Sequence, residues 1–449
     1  MAMFLYDLST TGAISFSDFI NHPSSLYTRR LSEATQLRSR LRGILKETKR
    51  IDGEKDYVTI IKVIDDYLPH LQSVMDCVAH KELVLKAEPV FSWRTTLSSS
   101  SLNISPKISL QSLNADNACS LLTCAFAHAN LARTIVGNLG PFEYDRAISQ
   151  VEREAKEEQL KHAISHLCQA SGIFTYLSET ILPQLQTSAS TSKFKLPPDL
   201  LPEVSTALSR MSLAEAQTIA IRKLLSKSFY DSNIAPGPPL PKSHPAPGLI
   251  AKLHLECVSL YSTARTLAKT PSASSKSSED VSPELRHYLA DETALNSGLA
   301  KKWLGIDAGE NGGQKRGGDA VGFLIWAKKE LQEIKDGGKG AGLAKGDKER
   351  KDRNLRKEKV ARELETIDIW LKHYKKTNDT IHFQPIPSQA ELQSRIPTGV
   401  SAVFVTRYVP QKPAFGPDSD ARMQKEQEMS GQGDSMPSSS TYAGAGEYY

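Results

Sequence analysis

Three places in the chain hold residue types that could do chemistry. His162 and His166 stand four apart on one helical face with Cys168 close behind, a spacing that could seed a zinc site. Cys124 and His128 repeat the same spacing and would pair a thiol with a base. The stretch 308–346 is rich in Gly and Lys, the composition of a phosphate cradle. Each falls short of a working site. There is no HExxH and no paired third ligand for zinc. Cys124 and His128 lie within the apolar run "CSLLTCAFAHANLA", where a cysteine is a buried structural residue rather than a nucleophile. The glycines do not follow the GxxxxGK[ST] spacing, and no strand precedes them. The expectation is a chain that is not an enzyme, with no catalytic residue, metal or cofactor.

The elements around these residues are helical. Apolar residues recur at spacings of three and four over 27–48, 57–79, 115–135, 152–184, 200–228, 248–268, 284–305, 321–335 and 348–376, so a succession of antiparallel helices is predicted. One interruption breaks the rhythm. Between 83 and 111 apolar and polar residues alternate around Ser, Pro and Asn, which predicts a β element packed on the helices with Trp93 against them.

Length and charge are consistent with an extended helical array. At 449 residues the chain is long for an ordinary domain, yet stacked helix pairs use such length as one body. Net charge is +5, and the stretch 339–359 holds nine Lys or Arg against four Asp or Glu, which accounts for the whole surplus. The balance elsewhere argues against a nucleic-acid reader with a broad basic face. The run 345–359 reads as a solvated helix start with alternating charges, with peripheral membrane association as the other reading. Five cysteines without a CxxC pair, and no signal peptide, point to a reducing intracellular setting. No stretch reaches the roughly 20 uninterrupted apolar residues of a membrane span, so a soluble protein is expected.

Flexible connections are expected near 188–198, 235–247, 270–282, 308–318 and 336–347. The Pro-rich segment "APGPPLPKSHPAP" (235–247) could dock on an SH3-type groove, but a stiff connection is its commoner role. The region 406–449 is assigned to a disordered tail, since its last ~35 residues lack the apolar content to order.

The helix "LSRMSLAEAQTIAIRKLL" (208–225) is apolar on nearly every side, as a middle helix with two flanking neighbours would be. Ala207, Ala214, Ala216 and Ala220 permit close approach, and Leu213, Ile221 and Leu224 are expected in the core. Leu208 and Met211 are left over, one turn apart on one side.

Five segments, in order, carry a resemblance: "VFSWRTTL" (90–97), "SLNADNACSLLTCAFAHANLA" (112–132), "LKHAISHLCQASGIFTYLSE" (160–179), "LSRMSLAEAQTIAIRKL" (208–224) and "NDTIHFQPIPSQAEL" (378–392). Together they resemble successive landmarks of the Bro domain of Alix-type ESCRT adaptors, over roughly residues 1–405. The run "GDAVGFLIWAKKELQEI" (318–334) and the lack of a middle domain and long Pro-rich tail look like the fungal pH-response regulator branch of that family. The family's tyrosine in the closing segment is replaced by His382 before Phe383, so regulation through it is not carried over.

The resemblance implies a mainly α, elongated, boomerang-like body: a tetratricopeptide-like helical solenoid core with a small N-terminal β element. It implies a non-catalytic adaptor that binds the amphipathic C-terminal helix of the filament-forming ESCRT-III subunit through an apolar patch. That patch would comprise Leu208 and Met211, with Tyr176 at its border and Lys161 and Arg210 pairing with acidic residues of the ligand. The adaptor would link ESCRT-III to a pH-sensor complex at the membrane and so promote proteolytic activation of a transcription factor; a general endosomal cargo-sorting adaptor is the alternative. The implied location is cytoplasmic, with recruitment to plasma-membrane cortical sites or endosomes.

Overall fold

The structure, a computed structural model, describes residues 3–21, 25–98, 106–190, 196–234, 237–274, 281–337 and 347–417. In chain order its elements are α1 (Phe16–Phe19), β1 (Ile20–Asn21), α2 (Ser25–Arg50), α3 (Tyr57–Ala79), β2 (Val84–Leu85), β3 (Val90–Arg94), β4 (Lys107–Gln111), α4 (Leu113–Leu139), α5 (Gln150–Tyr176), α6 (Leu182–Ser190), α7 (Pro202–Ile234), α8 (Pro247–Ser274), α9 (Pro283–Asn311), α10 (Gly317–Gly337), α11 (Asp347–Thr377) and α12 (Gln389–Ser394). The helix starts carry local signals. Asp56 accepts the Thr59 amide ahead of α3, Ser149 and Glu152 form a capping box on α5, and Ser282 precedes a proline at the first turn of α9.

The long helices pack mainly on their neighbours in sequence: α2 on α3, α3 on α4, α4 on α5, α5 on α7, then α7 to α11 in order. That one-dimensional order is the solenoid expected from the sequence. Helix α7 sits in the middle, which is why only Arg210 and Leu224 are exposed between Leu208 and Leu225. Leu224, expected in the core, is 42% exposed, because it falls on the outer face of the helix.

The β element is confirmed as two antiparallel pairs, β1 with β2 and β3 with β4, the second running in register from Val90 opposite Gln111 to Arg94 opposite Lys107. It is fixed by a buried polar knot. Asp116 near the start of α4 accepts Arg38 from α2 through both oxygens (2.8 and 3.0 Å), Tyr67 from α3 (2.6 Å) and the Trp93 indole from β3 (2.8 Å). Arg38 also donates to Gly12 O and Thr11 Oγ1, so the ion pair has the additional hydrogen bonds that offset its desolvation. Trp93 is 1% exposed.

Helix α4 is long and apolar enough to cross a membrane by length and mean composition alone, though Asn, Ser, Thr and His interrupt its apolar run, and 72% of its apolar window is buried within the molecule. Two of the expected flexible connections are built structure. The segment 237–247 is held by the Leu240 amide on Glu310 (3.3 Å), Ser243 on Asp231 (2.5 Å) and the His244 ring against Trp303 (4.8 Å). The segment 308–318 is the end of α9, a short 3-10 turn (Gly313–Arg316) and the start of α10. The connections at 191–195, 275–280 and 338–346, and the tail from 418 onward, lie outside the described residues.

Candidate partner-binding surface

Helices α5 and α7 run antiparallel, joined by hydroxyl groups. Ser171 on α5 donates to Ser209 O (3.0 Å) and meets its hydroxyl (2.9 Å), Thr175 meets the same hydroxyl (2.8 Å), and Ser205 donates to Phe174 O (2.9 Å). These short side chains let the helices approach closely.

Leu208 and Met211 are each 1% exposed, so they are not surface anchors in this fold. The reason is the chain's own N-terminus. Leu208, Met211 and Glu215 stand at i, i+3 and i+7 on one stripe of α7. Glu215 accepts the Phe4 amide (3.1 Å) and the Tyr288 hydroxyl (2.5 Å), which places that stripe beneath the extended segment Met3–Thr11. Burial pushes the Glu215 carboxyl up to about 7, against the lowering effect of those two donors. The segment itself is pinned by Asn130, whose amide accepts from Tyr6 N (3.0 Å) and donates to Tyr6 O (2.8 Å), while the Tyr6 ring stacks on Phe126 (4.4 Å).

A second extended segment, residues 396–417, crosses the opposite side of the stack. Val400 N donates to Lys252 O on α8 (3.1 Å). On α7, Gln217 donates to Val400 O (2.9 Å) and accepts from Ala402 N (2.8 Å). Thr406 N reaches Cys168 O on α5 (3.2 Å), and a Cβ at Gly172 would overlap Thr406 O, so the crossing needs glycine there. Tyr408 packs on Tyr176 (5.2 Å), and Ala414 N and Phe415 N close on Pro69 O (3.2 Å) and Ser73 Oγ (2.9 Å) of α3. The tail boundary at 405 is therefore corrected: 406–417 are docked, with Phe415 6% exposed.

The strap turns apolar side chains outward. Val400 is 43% exposed, Phe404 74%, Val405 37% and Val409 73%. Phe404 lies between the anchors at Ala402 and Thr406, hence over the seam of α5 and α7. Arg210 is exposed two turns from Gln217 on the same face of α7, and Lys161 is exposed two turns from Cys168 on α5, where it bridges to Glu158. Because the helices are antiparallel, the two basic residues flank the strap on opposite sides. Tyr176 is half-buried beneath Tyr408, at the edge of a cavity of about 20 Å³ that has room for a single water.

The candidate chemistry does not assemble. His162 is exposed, while His166 turns to His128 on α4, their Nδ1 atoms 3.0 Å apart. Burial, then the neighbouring His166, hold His128 down at about 3. Burial pushes the Cys124 thiol far up, and all five cysteines are buried and free. Among the described residues no group of three or more His, Cys, Asp or Glu is placed to hold a metal.

Residues 14–429 match the BRO1-like domain family. The chain belongs to that family. This Bro domain is 34% identical to the pH-response regulator protein palC of Cryptococcus neoformans var. neoformans serotype D, over the whole of both chains. It is 23% identical to palC of Yarrowia lipolytica, covering 98% of each, and 24% identical to palC of Emericella nidulans, covering 92% of this chain and 89% of the other. In fold it is similar to the BRO1 chain of an ALIX BRO1 CHMP4C complex, with TM-score 0.61 and 19% identity, covering 92% of this chain and 98% of that one. It is also similar to ALIX in complex with the SIVmac239 PYKEVTEDL late domain, with TM-score 0.62 and 17% identity, where it covers 96% of its own length and 53% of the ALIX chain.

The basic run at the start of α11 in this Bro domain is partly spent inside the molecule. Asp352 pairs with Arg133 (2.8 Å), and Arg356 pairs with Asp291 (2.6 Å) and Glu292 (3.1 Å). These pairs run to α4 and α9 rather than along the helix, while Lys351, Lys357 and Glu358 of the run are exposed. What sequence reasoning missed is the strap, and a signal for it exists: Gly172 interrupts an otherwise helical run, the mark of a close backbone approach.

Proposed function

We propose that this Bro domain is a non-catalytic adaptor that binds the filament-forming ESCRT-III subunit and links it to an ambient-pH signalling complex at the plasma membrane or endosome. Its output is proteolytic activation of a pH-responsive transcription factor. The observation that carries this reading is the full-length likeness to proteins named pH-response regulator palC. The solved ALIX BRO1 CHMP4C complex supports an ESCRT-III subunit as the partner.

The surface proposed for the partner helix is the outer side of the strap. Phe404 and Val405 supply apolar anchors, Tyr176 borders them under Tyr408, and Arg210 and Lys161 receive acidic residues on either side. Leu208 and Met211 are buried on the side of α7 that faces the N-terminal arm and do not touch the partner. The test is Phe404→Asp, assayed with a purified ESCRT-III subunit. Loss of a central anchor costs about 2 kcal/mol or more, roughly thirtyfold in affinity, with the melting temperature unchanged. Unchanged affinity removes the strap from the site. Met211→Asp places an unpaired carboxylate in the core and is expected to destabilise the fold by several kcal/mol.

A further inference from the structure

The turn that closes α11 presents apolar side chains to solvent on a backbone locked from beneath. Ile381 is 61% exposed, Phe383 73% and Ile386 47%, all within six residues. Phe383 adopts the left-handed conformation (φ 53°, ψ 31°), an unfavourable state for a bulky residue that persists only where its surroundings impose it. The surroundings here are explicit. Asn378, 4% exposed, accepts the Phe383 amide through its carbonyl (2.7 Å), donates from its side chain to Gln384 O (2.9 Å) and accepts Gln384 N (3.2 Å).

Two glycines of α10 leave room for this arrangement. A Cβ on Gly317 would meet Asn378 and the His382 ring, and one on Gly318 would overlap Pro385 O. The fold therefore fixes an aromatic ring outward on a strained backbone.

Exposed lysines outnumber the exposed acids Asp379 and Glu391 around the tip. Lys372, Lys375 and Lys376 on the last turns of α11 are exposed, as is Lys315 on the adjoining 3-10 turn. None has an ion-pair partner among the described residues. The exposed acid of the turn is Asp379; Asp319, at the base, is 7% exposed and taken up by Arg316 and Arg395. Lysines are point charges without the fixed fork of arginine, suited to a diffuse anionic surface rather than one carboxylate in a set geometry. The small cavities of about 20 and 10 Å³ lie elsewhere, under the strap and beside Trp93.

We infer that the 381–386 tip is a membrane-contact element: Ile381, Phe383 and Ile386 enter the interface of an anionic bilayer while Lys315, Lys372, Lys375 and Lys376 lie against its headgroups. Apolar burial and lysine attraction act together, as in interfacial anchors that need two weak signals. This surface is separate from the strap and from the ion-paired start of α11.

The full chain is mixed with phosphatidylcholine vesicles and with phosphatidylcholine–phosphatidylserine vesicles, and the bound fraction is measured by flotation. Binding is expected only with phosphatidylserine and is expected to fall with added salt. The double variant Ile381→Ser, Phe383→Ser loses about tenfold or more in vesicle affinity at an unchanged melting temperature. Lys375→Glu with Lys376→Glu loses a similar factor, at about tenfold or more, and flattens the salt dependence. Val151→Ser, which removes an equally exposed apolar side chain on α5, leaves binding as it was. No binding to phosphatidylserine vesicles, or equal binding by the tip variants and the parent, overturns the proposal. So does a parent that ignores vesicles and instead captures acidic peptides through Phe383, which would make the tip a protein-recognition element.

Discussion

Two extended segments cover the central helices from opposite sides, and both are held by a side-chain amide that acts as a strand partner. Asn130 brackets Tyr6 in the N-terminal arm, and Gln217 brackets Val400 and Ala402 in the C-terminal strap. The difference lies in what each shows to water. Met3 and Tyr6 in the arm are 2% exposed, whereas Phe404 and Val409 in the strap are more than 70% exposed. One segment is core that happens to be extended; the other is a surface laid over the core. An apolar residue on a covering segment can thus report either packing or recognition, and only its neighbours decide.

Breaking the arm is expected to have the largest effect. Tyr6→Ala empties a fully buried aromatic site and should lower unfolding free energy by about 3–5 kcal/mol in urea titration. A chain ended after Val405 loses the Thr406, Ala414 and Phe415 anchors and the burial of two aromatic rings, a cost of about 3 kcal/mol against a chain ended at Pro417. A smaller loss there would mean that the strap is held chiefly at Gln217.

The two amides sharpen the contrast. Asn130→Ala leaves both polar groups of Tyr6 buried and unpaired, costing about 2–3 kcal/mol, whereas Gln217→Ala leaves groups that water can reach, costing about 1 kcal/mol. Equal losses would show that the strap is as dry as the arm.

The smallest expected effect is a pH dependence confined to the arm. Glu215 has a folded-state value of about 7 against 4.5 for the free side chain. The folded protein keeps its proton where the unfolded chain has lost it, so stability falls as pH rises from the unfolded value to the folded one and is level above. Between pH 6 and 7 the fall is on the order of 1 kcal/mol, and Glu215→Gln should remove it. A stability curve of the Gln variant that still falls over that interval would assign the dependence to another group.

Much of this architecture could be read in the residues. Each long helix lies where the three- and four-residue spacing puts it, and alternation around Trp93 marked the ribbon that Asp116 ties to α2, α3 and α4. Periodicity identifies an apolar face but not its neighbour. Leu208 and Met211 looked spare because nothing in 3–11 has a period that announces a cover, and 396–417 likewise carries no regular pattern. Of the expected surface residues, Lys161 and Arg210 are exposed, Tyr176 is half-covered, and the apolar anchors now proposed lie on a segment remote in sequence from all three.

The strap also sets an order of events in synthesis. Phe415 N closes on Ser73 across 342 residues, so this contact cannot form until residue 415 has left the ribosome, long after α2 to α8 have had time to stack on their sequence neighbours. Closing so long a loop costs only slightly more entropy than closing a short one, because that cost grows with the logarithm of length. A nascent chain stalled before residue 400 thus carries a solenoid whose outer seam, at Gly172 and Gln217, stays bare until residues 400–417 emerge.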